Sequence, residues 1–272
     1  GCTPDRAQVI PSDDSIPEAT GAPIDATESP VYDQDVSWGR CGELECATIQ
    51  VPVSWSNPGG PTTDLEINRH RATDEGARIG SLLINPGGPG GSGLALTESF
   101  VVTAGEDLLA AYDVIGFDPR GVGESSPLRC GDADEIDAYY LTDLTLETEE
   151  DLEAARQATG DFAARCRELS GPLIENVDTS SAARDMDVIR AVLGDDELYY
   201  LGYSYGTQLG ATYAELFPAN VGRMVLDGAV DFTLSAEELS IGQAVGFEGA
   251  LRNFIDWCLG EDDCPLDPNP DR

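Results

Sequence analysis

The sequence predicts an α/β protein, a mostly parallel sheet flanked by crossover helices. Two observations carry that expectation. Short apolar or aromatic runs recur at 79–84, 112–117, 198–203 and 223–226, and helix-length segments separate them. Runs of this length, bounded by glycine-bearing loops, are those of strands buried on both faces, as parallel strands under helices are. With 272 residues, 41% of them hydrophobic, the chain is long enough for one core and a smaller appendage.

Residues 1–34 carry Pro4, Pro11, Pro17, Pro23 and Pro30 among acidic and small polar residues, with no periodic apolar face. They read as an extended acidic linker. Residues 47–53 and 65–72 are β-rich, and the breaker cluster Ser56-Asn57-Pro58-Gly59-Gly60-Pro61 between them predicts an antiparallel pair. Residues 94–111 have helical length and composition. A further helix is expected from an N-cap at Ser181, through Ala182, Met186, Ile189 and Leu193, to a stop at Gly194. Residues 207–217 read as a helix closed by Pro218.

Fifty-one acidic residues stand against 15 basic ones, for a formal charge of -36. That field repels a phosphate backbone, so nucleic acid is excluded as a partner. All the basic residues are arginine, which removes the lysine of a Schiff base or a phosphate-binding loop. No apolar run reaches the roughly 18 residues that cross a bilayer.

Six of the seven cysteines fall into neighbouring pairs, Cys41 with Cys46, Cys130 with Cys166 and Cys258 with Cys264. With a single histidine and no CxxC spacing, zinc is disfavoured and three disulfides in an exported protein are expected, although sequence alone allows about fifteen pairings. The odd one, Cys2, follows Gly1 as the lipid-bearing cysteine of a bacterial lipoprotein follows its signal. A lipid there is the one membrane connection the sequence suggests.

The informative chemistry is Gly202-Tyr203-Ser204-Tyr205-Gly206, a GxSxG run between an expected strand and an expected helix. This is the context of a nucleophile elbow: a sharp strand-to-helix turn exposes the serine, small residues at Gly202 and Gly206 prevent clashes, and the Tyr205 N–H is aimed at a developing oxyanion. A second glycine loop, Asn85 to Gly93, follows the strand ending at Ile84, where such an enzyme places its other oxyanion donor.

NPGGPGGSG, then IGFDPRGVGES from Ile115, YYLGYSYGTQLGATYAELFP from Tyr199 and MVLDGAVD from Met224 resemble, in that order, the proline iminopeptidase and tripeptidyl aminopeptidase family of α/β-hydrolases, in particular its exported actinobacterial members. The resemblance implies Ser204 as nucleophile and the Tyr205 and Gly88 amides as oxyanion donors. It gives Asp118, Arg120, Gly121 and Gly123 a structural loop, and makes 35–231 the hydrolase core and 232–272 the beginning of a helical cap. Glu237, Glu238, Glu248 and Asp256 of that cap are candidates to bind a substrate ammonium. No cofactor or metal is implied.

One departure outweighs the matches. In this fold the acid and histidine follow the nucleophile in chain order, yet no histidine follows Ser204. The sole histidine, His70, lies on the polar face of an early strand and reads as a solvated surface residue. The expectation is therefore an N-terminal portion of a secreted or lipid-anchored serine exopeptidase, its final strands supplied by a C-terminal remainder, possibly as a separate chain. The alternatives are an esterase or lipase on the same fold, or a catalytically silent subunit acting in binding or assembly.

Overall fold

The computed structural model describes residues 29–141, 147–261 and 264–265. Most of the expected linker, with Cys2, lies outside them. Its last residues are not linker at all: Pro30–Asp33 form a 3-10 turn, Val31 is buried in the core, and Gln34 exchanges hydrogen bonds with the Gln50 backbone at 2.7 and 2.8 Å.

Seven strands form one sheet: β1 Gly39–Cys41, β2 Leu44–Pro52, β3 Thr62–His70, β4 Gly80–Asn85, β5 Tyr112–Phe117, β6 Leu198–Tyr203 and β7 Val221–Asp227, ordered β1-β2-β3-β5-β4-β6-β7. The first three and β5 pair antiparallel; β5, β4, β6 and β7 run parallel. β4 is buried along its whole length, as a strand covered on both faces should be. Alternate residues feed two cores. Leu83 and Ile115 join the larger one with Ala182, Met186, Ile189 and Leu209, while Leu82, Ile84 and Val114 face the smaller one with Leu96, Phe100 and Leu108.

The helices are α1 Gly93–Thr103, α2 Glu106–Ala111, α3 Ala133–Tyr140, α4 Glu149–Ser170, α5 Thr179–Val192, α6 Tyr205–Leu216 and α7 Ala236–Cys258, and those partners lie on α1, α2, α5 and α6. The single helix expected over 94–111 is two, because Ala104 and Gly105 are extended between them. The cap of α5 is Asp178 rather than Ser181; its carboxylate accepts from the Ser181 N–H at 2.9 Å, so Ser181 sits inside the first turn. Helices α3 and α4 have no counterpart in the sequence reading; the Cys130–Cys166 disulfide ties α4 to the loop just before α3. The Cys41–Cys46 and Cys258–Cys264 pairs are also bonded, the connectivity expected from neighbour spacing. Among the described residues no helix is long and apolar enough to cross a membrane.

Two buried carboxylates tie the large core together. Asp185 on α5 pairs with Arg120, both almost inaccessible to solvent. Arg120 also donates to the carbonyls of Pro52, Val53 and Asn176, so all five guanidinium N–H bonds are used, and Trp55 donates to Asp185 at 3.0 Å. Asp187, one turn-face away, accepts from Tyr32, Arg190, Tyr213 and Asn220 at 2.8 to 3.1 Å. Burial pushes the Asp187 carboxyl up, but the hydrogen bonds from Arg190, Asn220 and Tyr213 outweigh it and hold the group below its ordinary range.

Asp187→Asn should therefore destabilise the fold by about 1 to 3 kcal/mol at neutral pH, because the amide cannot accept from every donor now facing it. A carboxyl with a depressed folded pKa stabilises above its unfolded value near 3.9, and that contribution fades as the pH falls through the folded value. Thermal unfolding of wild type and variant should differ most at pH 5 to 7 and start to converge only as the pH falls below about 4.

Candidate active site

The parallel strands set the position of the site. From β4 the chain crosses to β5 on one side and later to β6 on the other, so the crevice at their C-terminal ends is a topological switch point, where open α/β sheets bind ligands. Asn85 at the end of β4 is level with Gly202 near the end of β6. Ser204 is the first residue past β6, and α6 starts at Tyr205.

Ser204 has φ 53° and ψ -121°, a left-handed conformation that a non-glycine residue adopts only when its surroundings enforce it. Two hydrogen bonds and a close approach of backbone do so. The Ser204 N–H donates to the Asp227 carbonyl of β7 at 2.8 Å, and the Thr207 N–H donates back to the Ser204 carbonyl at 2.8 Å. The strand and helix then pass so close that a methyl at Gly202 would lie 2.4 Å from the Gly206 carbonyl oxygen, and one at Gly206 would lie 2.9 Å from Asn85 Oδ1. Both expected elbow glycines thus stand where the turn needs them.

Tyr205 is the first residue of α6, whose opening amides have no partner within the helix. Its side chain is fixed as well, since the phenol lies 2.8 Å from the Thr179 hydroxyl at the start of α5. Burial pushes that phenol above its ordinary pKa, so it remains a neutral hydroxyl at working pH.

The glycine loop lies against this elbow. A Cβ at Gly87 would fall 2.3 Å from the Tyr203 carbonyl oxygen and 3.1 Å from Ser204 Cβ. The Gly87 N–H is committed to Asn85 Oδ1 at 2.9 Å, and the Gly91 N–H to the Gly87 carbonyl at 3.0 Å. Gly88 is the next residue, at φ 114°. Asn85, which braces both the loop and Gly206, was not singled out in the sequence; an Asn opening a Pro-Gly turn just past a strand is the signal that marks it.

Other expected residues fall elsewhere. Arg120 is locked in the core as described, in keeping with its structural place in the motif. Gly121 and Gly123, both at positive φ, shape the turn between Asp118 and Ser125. Glu238 is bonded to the Ser235 N–H and hydroxyl in a capping box, and Glu248 pairs with Arg252 at 2.7 Å, so both already have partners; Glu237 and Asp256 are exposed.

His70 is half-buried rather than a solvated surface residue. Its Nδ1 is enclosed without a hydrogen-bond partner, because β3 is covered at this point instead of presenting a bare polar face. It also sits at the wrong end of the sheet. His70 pairs with Val114, which is level with Leu82 and so with Tyr199. Strand spacings put Ser204 roughly 16 Å further along the strands and about 14 Å across them.

A serine on a strained strand-to-helix turn, facing a glycine loop across the switch point, has the geometry that a nucleophile elbow on a parallel sheet requires. Residues 80–270 match the family described as alpha/beta hydrolase fold, and the chain belongs to that family. It is similar to serine protease Hip1 of Mycobacterium tuberculosis, 39% identical over 256 residues that cover 89% of this chain and 48% of that protein. Tripeptidyl aminopeptidase of Streptomyces lividans is 38% identical over 257 residues, 90% of this chain and 48% of its own length. Carboxylesterase B of Mycobacterium tuberculosis is 41% identical over 251 residues, with coverages of 88% and 48%. The chain spans about half the length of these relatives.

Gly87→Ala should collapse the elbow, since the new methyl meets backbone on a positive-φ residue; loss of Ser204 labelling by an organophosphonate, with the far side of the sheet still folded by hydrogen exchange, is the expected result. His70→Ala, by contrast, should leave labelling and turnover of the full-length protein at the wild-type level. A large loss of activity in that variant with intact folding would bring His70 back into the site.

Proposed function

We propose that this chain is the nucleophile-bearing part of a serine exopeptidase that releases amino acids or short peptides from free N-termini through an acyl-enzyme. The observation that carries the reading is the strained backbone of Ser204, set between the Tyr205 amide and the Gly87-Gly88 turn. In this reading Ser204 Oγ attacks the scissile carbonyl, and its oxygen gathers negative charge while accepting from the N–H groups of Tyr205 and Gly88. The leaving amine departs, and water then releases the acyl group. No cofactor or metal takes part.

The acid and the histidine that move the proton are supplied by polypeptide that continues the sheet beyond β7. Two features support this. Val225 and Leu226 on β7 are 58% and 38% exposed, on a strand whose outer edge has no partner among the described residues. Helix α7 exposes Val245, Phe247, Leu251, Phe254 and Trp257, an apolar face suited to a cap that closes over the site. The peptide substrate is inferred from the protease and aminopeptidase relatives, and the exposed Glu237 and Asp256 are the carboxylates left to meet its ammonium group. An exported, envelope-associated location, with Cys2 as lipid carrier, accords with the three disulfides. Carboxylesterase B among the relatives favours the second reading, ester hydrolysis at the same serine.

In the full-length protein, Ser204→Ala should abolish organophosphonate labelling and lower hydrolysis by several orders of magnitude. Turnover of tripeptidyl or aminoacyl arylamides well above that of acyl esters supports the exopeptidase, and the reverse ratio the esterase. Residues 1–272 expressed alone should be inactive and prone to aggregate, and should gain solubility and turnover when co-expressed with the polypeptide that follows in the relatives' order. A soluble, cooperatively unfolding and fully active chain of 272 residues would refute the completion by further strands.

A further inference from the structure

We infer that Asp118 is a positioning residue for the oxyanion loop, acting through the hydroxyl of Ser92; this rests on Ser204 being the nucleophile. Asp118 follows the last residue of β5 and is almost wholly buried. Its Oδ1 accepts from the Ser92 hydroxyl at 2.6 Å and from the Leu94 N–H at 3.3 Å, and its Oδ2 accepts from the Glu124 N–H at 2.9 Å. The bond at 2.6 Å to a carboxylate is of the short, charge-assisted kind.

Ser92 is the other half of the device. It is the N-cap of α1, and its Oγ accepts from the Ala95 N–H at 3.2 Å while donating to Asp118. One hydroxyl therefore fixes the start of the helix to the end of β5. The glycine loop between Asn85 and Ser92 is then pinned at both ends: at Asn85 by the bond to the Gly87 N–H and its contact with Gly206, and at Ser92 by Asp118. Within it the Gly91 N–H closes onto the Gly87 carbonyl.

Residues 86–91 are four glycines and two prolines, so φ is fixed by a ring only at Pro86 and Pro89 and the glycine positions keep a wide backbone freedom. The two anchors add the constraint that sets the course of their amides. Asn85 alone would leave the Gly88 end to pivot. The carboxylate of Asp118 thus acts on the Gly88 amide without touching substrate, and its contribution is made where charge develops, in the transition state.

The test uses the full-length protein with Ser92→Ala, Ser92→Thr and Asp118→Asn, a short-chain p-nitrophenyl ester as substrate, and a boronic acid that forms a tetrahedral adduct with a serine. An ester reports acyl transfer whichever leaving group the site prefers. Ser92→Ala should lower kcat about tenfold or more with KM changed by no more than about twofold, as a misplaced oxyanion donor does. Boronate affinity should fall in parallel with kcat, and Ser92→Thr, which keeps the hydroxyl, should restore both. Asp118→Asn, with one acceptor oxygen for three donors, should show the same kcat loss with a larger fall in Tm. A wild-type kcat in Ser92→Ala, a loss that Ser92→Thr does not restore, or a fall in folded fraction that accounts for the lost turnover would each overturn the assignment. Ester turnover surviving in Ser204→Ala would instead overturn the nucleophile itself.

Discussion

The structure depends on Arg120. Its guanidinium stands behind the loop that follows β5 and binds the end of β2, the turn before α5 and Asp185 on α5 itself, with every N–H used. Such a pair is not retained for net stability, since a well-packed apolar replacement is often as stable, but losing one partner strands a buried charge at a cost of about 3 to 5 kcal/mol. What the pair supplies is position. Three elements distant in sequence are fixed against one planar group, and α5 is then aligned so that Thr179 meets Tyr205. Asp118, two residues before Arg120, is placed by the same loop.

The second constraint is closeness of backbone at the elbow. Strand β6 and helix α6 approach until glycine is the only residue that fits at 202, Asn85 of β4 crowds position 206, and Tyr200 donates its hydroxyl to the Gly206 carbonyl at 2.8 Å, taking up an acceptor at the start of the helix. The left-handed backbone at Ser204 costs of order 1 to 3 kcal/mol and persists because its neighbours over-determine it. Neighbouring β7 contributes directly, through the Asp227 carbonyl. The site is therefore a property of the strands on either side of β6 as well as of the five-residue motif.

Much of this was legible in the sequence because it is written in backbone requirements. The glycines flanking Ser204, the glycine loop after Ile84 and the continuous apolar runs of β4 and β5 each follow from a local steric or burial rule, and each lies where that rule puts it. What escaped had a different cause. Helices α3 and α4 are strongly charged, in a chain where acid is everywhere, so their apolar faces were faint against the background. The break between α1 and α2 turns on Ala104 and Gly105, residues that helices also tolerate. The place of Ser181 depended on Asp178 competing for the cap, and the burial of His70 on what covers β3. The roles of Asp118 and Thr179 rest on contacts between elements, which no local pattern records.

These contacts also separate two kinds of work at the site. The hydrogen bonds that fix Ser204, Tyr205 and the glycine loop come from β4, β7, α5, α6, the residue after β5 and the loop itself. Under the proposed function the geometry for attack and for oxyanion binding is thus set without an acid or a histidine, whose task would be to move a proton. In triad hydrolases the oxyanion hole and substrate binding alone retain roughly 10³ to 10⁴-fold acceleration over water. In the proposed reading the nucleophile half is a preorganised electrostatic device in its own right, and polypeptide continuing the sheet would add only the proton relay.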